Sequence, residues 1–447
     1  MLFSENWIPP FRSMLYTGPC RYPFAGRSPK TRPSSMSAFT FIHAADLHLG
    51  SPLASLATRN RDLAERFMAA GREAFTALVE RAVAMGAAFV LVSGDVYDGD
   101  WTDHSIGLFF AREVAKLERA GIPLAYVRGN HDARSVITRA LTLPASVLEF
   151  PTGSAGLHRL DELRVALHGR SFADRSVPED FVAGYGAPLE GWFNIGLLHT
   201  SCAGYPGHQT YAPCTVAELA AKGYQYWALG HVHDFAELSR EPHIVYPGNL
   251  QGRSIRECGP KGAVAVEVTD GRVTDLRRLV LDKARFAHLE LDVAGAQGET
   301  EVLAGFDDLL APHVAEAEGR LLAVRVTLRG ETGLHDALAG DPERLEAELQ
   351  AAAHRRHEDV WLETVRIRTA RPARTASGDA GGLDPLALLA EIESDPLLRE
   401  KAQQIVSELR LKLPGGLSAS DEDEFDLGRL LADAEATVLG RLADRAN

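Results

Sequence analysis

Short apolar runs that stop abruptly at a cluster of Asp, His or Asn constrain this 447-residue chain more than any other feature. Thr40–Ala45 (TFIHAA) leads into Asp46-Leu47-His48, and Ala87–Ser93 (AAFVLVS) into Gly94-Asp95-Val96-Tyr97-Asp98. The run at Pro123–Val127 precedes Gly129-Asn130-His131-Asp132. Phe193–His199 ends in its own histidine, and Tyr226–Leu229 leads into Gly230-His231-Val232-His233. A continuous apolar run of this length is the mark of a strand covered on both faces. In α/β sheets, ligands bind in the crevice beyond the carboxyl ends of the strands. If the strands share a sheet, five polar clusters converge on one place. One such histidine alone reads as a hydrogen-bonded structural residue. The set does not, because buried unpaired carboxylates are costly.

The segments between the runs predict the frame. Amphipathic helices over about Arg61–Met85 and His104–Ala120 separate the first three strands, a β-α-β-α-β rhythm that indicates a layered α/β domain. Further strands are expected at Arg164–His168, Ile244–Tyr246 and Ala263–Val268, with fewer helices between them, which predicts a more antiparallel half. From Phe286 a period-two alternation restarts at Leu289/Leu291/Val293, Leu322/Val324/Val326/Leu328 and Val360/Leu362 with Val365/Ile367. Helical stretches at about Glu301–Ala317 and Pro342–His354 separate these strands, predicting a small α+β domain. The expected organisation is an extension without packed structure at 1–36 and a catalytic domain at 37–285. An α+β cap follows at 286–370, a Pro/Ser/Gly linker at 371–382 and a tail of two amphipathic helices at 383–447. Met36 is an alternative start, since ordered sequence begins immediately after it.

Composition narrows the function. No apolar run approaches the ~18 residues that span a bilayer, so no membrane association is expected. The four cysteines (Cys20, Cys202, Cys214, Cys258) form no CxxC pair, which predicts reduced thiols and a cytoplasmic setting. The net charge is −14, with 15 acidic and 7 basic side chains in residues 375–447. A nonspecific nucleic-acid binder carries the opposite balance, so a DNA substrate requires local basic patches, metal ions or a partner. Carboxylate and imidazole donors without thiolates suit divalent Mn, Fe or Zn in a hydrolytic site better than a structural zinc site. A pair of such ions needs at least one bridging carboxylate.

The ordered set DxH, GDxxD, GNHD, H and GHxH resembles that of the calcineurin-like metallophosphoesterases, and within them the SbcD/YhaO-type DNA repair exonucleases. That resemblance implies a layered sandwich of mixed sheets flanked by helices and a Mn-dependent exonuclease or endonuclease. It implies that Asp46, His48 and His233 hold one ion, that Asn130, His199 and His231 hold the other, and that Asp95 bridges them. His131 is then the non-ligand imidazole that contacts the phosphate and protonates the leaving oxygen, with Asp98 fixing its tautomer. Some relatives in the repair branch carry histidine at the Asp98 position, so Asp98 by itself does not single out a nuclease.

After GHxH, the segment Tyr246-Pro247-Gly248-Asn249 leads to Arg253 and Arg256, both candidates for phosphate contact, while His208 and Tyr211 are candidates for a substrate groove. Six arginines and Trp361 within His354–Arg374 suit backbone contact and base stacking, against the plainer reading of a solvated edge strand. Expected partners are DNA and, by the resemblance, an SMC-type coiled-coil ATPase docked on the tail helices; a homodimer is left open. The alternatives are a phosphodiesterase for nucleotides or other small phosphoesters, and a scaffold whose site is vestigial. The intact ligand set speaks against the scaffold.

Overall fold

The computed structural model describes residues 38–98, 104–134, 143–202, 211–372 and 394–412, together with single helical positions between 427 and 438. The 1–36 extension, His208, and most of the linker and of the second tail helix lie outside the described residues.

Two six-stranded sheets form the body. In the first, β1 (Phe39–Ala44), β2 (Phe89–Ser93), β3 (Leu124–Val127) and β4 (Val147–Glu149) run parallel in sequence order. The hairpin β11 (Gly262–Thr269) and β12 (Arg272–Val280) adds antiparallel to β1. The helices α2 (Arg61–Met85) and α3 (His104–Arg119) are the crossovers. A side-chain oxygen of Asn60 caps Leu63 N–H at the start of α2, and Gly86 in the left-handed conformation ends it. The helices press Phe75, Leu78, Phe110 and Val114 onto one face of the sheet, against Ile42, Val90 and Leu124. A short helix α1 (Ala54–Arg59) precedes α2.

The second sheet has the order β5-β6-β7-β8-β10-β9, where β5 is Gly156–Leu160, β6 Val165–Gly169, β7 Phe193–His199, β8 Tyr226–Gly230, β9 Ala236–Arg240 and β10 His243–Tyr246. Its four central strands are parallel, and only its edges are antiparallel. This corrects the expected antiparallel half. The scarcity of helices was a misleading signal, since the crossovers that parallel strands require run largely through loops, with a 3-10 turn at Val182–Gly184 and the short helix α4 (Val216–Ala221) among the described residues. Trp227, Leu229 and Tyr246 on the outer face are covered by those loops, including Phe172, Phe181 and Tyr185.

Between the sheets, Phe41, Phe89 and Val127 meet Phe193, Ile195 and Tyr226. Rings of Phe41 and Phe89 stack 5.0 Å apart, and Tyr226 meets Phe41 edge-on at 5.2 Å. This face-to-face packing brings the carboxyl ends of β1, β2 and β3 beside those of β7 and β8.

A third sheet consists of β13 (Ala284–Asp292), β14 (Leu321–Glu331) and β15 (Val360–Ala370), all parallel. The crossovers are α5 (Glu299–Ala317) and, after the short α6 (His335–Gly340), α7 (Pro342–Arg356). Phe306, Leu310, Leu345 and Leu349 cover one face. Strand beginnings pack on the main body through Phe286 and Ala323 against Leu56, Leu63 and Phe67. Arg59 bonds Thr364 and Arg66 bonds Asp359. The tail helix α8 (Pro396–Lys412) exposes Leu397, Leu398 and Ile405, and Glu435 pairs with Arg371 at 2.9 Å. No described helix is long and apolar enough to cross a membrane.

Candidate metal centre

The strand exits meet because the loops beyond β1 and β2 stay paired after the strands end. Asp46 N–H donates to Gly94 C=O (3.0 Å), His48 N–H to Asp95 C=O (2.9 Å) and Leu49 N–H to Val96 C=O (2.9 Å). Asp132 ties the third loop to the second. Its carboxylate accepts from the N–H groups of Val96 (3.1 Å), Tyr97 (2.9 Å) and Gly129 (3.0 Å). Asp46 ties the first sheet to the second by accepting from His231 N–H at 3.1 and 3.0 Å.

Two glycines permit the approach. A Cβ at Gly230 would lie 1.8 Å from Ser93 O, and one at Gly129 would lie 2.2 Å from Asp95 Oδ1. Asp46, His48, Asp95 and His231 themselves have positive φ (52°, 42°, 53° and 101°). Non-glycine residues there cost on the order of 1–3 kcal/mol each and persist where the surroundings enforce them, often at functional sites.

The donor atoms form three overlapping groups, each within 4.8 Å: Asp46, His48 and His233; His48, Asp95 and His131; Asp46, Asp95 and His199. His48 Nε2 is 3.3 Å from His233 Nε2 and 3.7 Å from Asp95 Oδ2. His199 Nε2 is 3.4 Å from Asp95 Oδ2 and 3.0 Å from Asn130 Oδ1, while its Nδ1 donates to Ser93 C=O at 3.0 Å. His231 meets His199 edge-on at 5.2 Å and Tyr211 at 5.1 Å. Asp98 Oδ1 lies 2.7 Å from His131 Nδ1, and Asp95 Oδ1 accepts from His131 N–H at 2.9 Å. Asp46, His48, Asp95, Asp98, Asn130, His131, His199, His231 and His233 are thus brought together from five strand ends.

Of the residues proposed for substrate contact, Arg253 reaches the site, with Nη1 3.4 Å from Asp98 Oδ2. Arg256 stays on the exposed side of its turn. Glu257 received no role from sequence, yet its Oε1 lies 2.8 Å from His233 Nδ1. Its place four residues after Arg253 is the one hint the sequence carried. Lys261 and Asp132 were likewise missed as organisers. The buried Lys261 ammonium donates to His233 C=O at 2.9 Å and to Asp234 at 2.8 Å. Cys202 and Cys214 are buried free thiols bridged backbone to backbone beyond β7.

The electrostatics fit divalent cations. Burial pushes the Asp46 carboxyl well up, and the neighbouring Asp95 charge adds to the effect. Burial acts on Asp95 too, but the imidazoles of His199, His48 and His131 overcome it and hold Asp95 ionised. Burial and then Arg253 push His48 down to about 3, and burial lowers His199. His131 goes the other way, its hydrogen bond to Asp98 and the Asp95 charge raising it against burial. Two close, buried carboxylates surrounded by imidazole and amide donors are matched by small divalent ions.

A model of the calcineurin-like phosphoesterases matches residues 39–235, and one of the middle domain of metallophosphoesterase YhaO matches residues 286–370. The chain is 28% identical over 392 residues to the uncharacterized metallophosphoesterase YhaO of Bacillus subtilis, covering 83% of this chain and 94% of that protein. It is 27% identical over 268 residues to the DNA double-strand break repair protein Mre11 of Thermoplasma acidophilum, covering 55% of this chain and 66% of that one. For Mre11 of Haloferax volcanii the identity is 26% over 297 residues, 65% of this chain and 61% of that one. The match therefore spans about two thirds or less of these Mre11 proteins.

Proposed function

The chain belongs to the calcineurin-like metallophosphoesterases, and from that premise we propose that it is a Mn-dependent phosphodiesterase that cuts DNA, as an exonuclease or endonuclease in repair. One observation carries the reading. The donor groups around Asp46 and Asp95 share His48, Asp46 and Asp95 among them, so two cations side by side have ligands in common. Asp46, His48 and His233 would hold one, Asn130, His199 and His231 the other, with Asp95 between them. Divalent ions there supply charge that neutralises phosphoryl oxygens and lowers the pKa of an attacking water.

The protein's own contribution is proton handling and orientation. Asp98 holds His131 at Nδ1 and favours its charged form, so His131 Nε2 carries the proton for the departing oxygen. Arg253 braces the far oxygen of Asp98. Arg253 thus acts on His131 through Asp98, a more specific part than the phosphate contact expected from sequence.

A polymer substrate is supported by the Mre11 relatives and by the extra layer at 284–370. The exposed Leu397, Leu398 and Ile405 of α8 offer a surface for an SMC-type coiled-coil ATPase, and the free thiols accord with a cytoplasmic setting. The net charge of −14 favours the second reading, a phosphodiesterase for nucleotides or small phosphoesters. Digestion of end-labelled single- and double-stranded DNA with Mn, beside bis-p-nitrophenyl phosphate, separates the two. Cleavage of DNA is expected. Hydrolysis of the small ester alone, unchanged when the ATPase is added, would transfer the assignment to the second reading.

A further inference from the structure

The two ring nitrogens of a ligand histidine have different tasks, and the centre solves the second task in two ways. His199 spends Nδ1 on Ser93 C=O, a backbone group fixed by β2, which leaves Nε2 for the cluster. His233 stands in the loop after β8. A carboxylate from a distant turn meets its Nδ1, Glu257 Oε1 at 2.8 Å. The other oxygen, Oε2, accepts from Asn249 Nδ2 and from Arg253 N–H, both at 2.7 Å. Asn249 pairs with Ala45, the residue before Asp46, and its N–H donates to His233 C=O at 3.2 Å. Arg253 then spans from this turn to Asp98.

We propose that Glu257 is a positioning residue of the metal centre. One oxygen fixes His233 with the proton on Nδ1 and the Nε2 lone pair toward the cation. The other oxygen holds the turn that delivers Arg253 to Asp98. The proposal rests on the metallophosphoesterase reading and extends it to a residue that no strand-exit motif contains. A partner on the outer nitrogen raises the basicity of a ligand imidazole and fixes its orientation, and loss of such a partner typically lowers metal affinity about 10–100-fold.

The test is calorimetric titration of the metal-free full chain with Mn(II) alone, read beside the EPR spectrum of the bound ion and the melting temperature of the metal-free protein. Glu257→Ala is expected to weaken Mn binding about 10–100-fold and alter the spectrum, with bis-p-nitrophenyl phosphate turnover recovering only in part at saturating Mn, because the turn that carries Arg253 to Asp98 is loosened as well. Glu257→Gln keeps an acceptor for Nδ1–H but sets an amide NH2 against Asn249 and Arg253, so a smaller loss is expected. Alanine binding Mn as tightly as wild type, with the same spectrum, overturns the proposal and leaves the metal reading intact. If the alanine variant does not fold, wild-type affinity in the glutamine variant overturns it instead. Wild-type protein that binds no Mn overturns both.

Discussion

Two buried charge clusters in this molecule have opposite logic. Near the start of β13, Asp282 is met on both oxygens. Arg285 Nε donates at 2.8 Å and Lys261 N–H at 3.1 Å to one, and Arg285 Nη2 at 3.2 Å and Arg320 Nε at 3.0 Å reach the other. Arg325 and Glu363 form a second closed pair, at 2.7 and 2.8 Å. At the strand exits, by contrast, Asp46 and Asp95 face each other, and no described lysine or arginine pairs with either. A structural cluster closes on itself with permanent cations. The metal centre leaves a deficit of positive charge that divalent ions fill.

The largest effect that would break this contrast is at Asp95. Asp95→Asn should lower phosphodiesterase activity by about 10³-fold, the several kcal/mol of charge stabilisation that the ions supply. The melting temperature of its metal-free form should change little, because the repulsion with Asp46 that is removed offsets the attraction to the imidazoles that is lost. A lower metal-free melting temperature would show that Asp95 is structural. His131→Ala should cost about 10²–10⁴-fold in turnover, with Mn affinity retained in a direct binding measurement. Loss of metal along with turnover would make His131 a ligand, as its grouping with His48 and Asp95 allows. Asp282→Asn should do the reverse of Asp95→Asn. Leaving Arg285 and Arg320 partly unpaired should destabilise the fold by about 3 kcal/mol in denaturant titration, with the metal stoichiometry unchanged.

The smallest effect concerns His43, buried between Tyr226 OH (3.0 Å) and Ser93 Oγ (3.2 Å). Burial lowers its pKa from 6.5 to about 3. Between these values the unfolded chain binds a proton that the folded chain refuses. His43 therefore removes stability as pH falls below 6.5, by at most about 1.4 kcal/mol per pH unit. His43→Gln should flatten the acid limb of a stability–pH curve, and an unchanged slope would assign that limb to other groups.

Much of the frame was legible before any coordinates. The expected Arg61–Met85 helix is α2 residue for residue, and Phe193–His199 is β7. Long amphipathic periods and continuous apolar runs are local signals. Strands β5, β9 and β12 escaped notice because few of their residues are buried and none carries a continuous apolar run. The parallel centre of the second sheet was not legible either, because a loop crossover has no periodicity. The three parallel strands of residues 284–370 had a visible alternation but no visible direction.

At the site, the residue types at the strand exits were written in the sequence, since each follows directly on a buried run whose end is locally marked. Their meeting was not. It depends on the face-to-face packing of two sheets, on Asp132 and Asp46 bonding across loops, and on glycines that let Gly230 pass Ser93. Glu257 shows the limit most plainly. A carboxylate in a turn looks like any solvated surface charge until the fold sets it 2.8 Å from His233. Sequence determines which chemical groups the chain owns and which local segments bury themselves, because both follow from neighbours along the backbone. Which nitrogen of a histidine faces the metal is decided only by partners from distant segments, and those exist only once the sheets have packed.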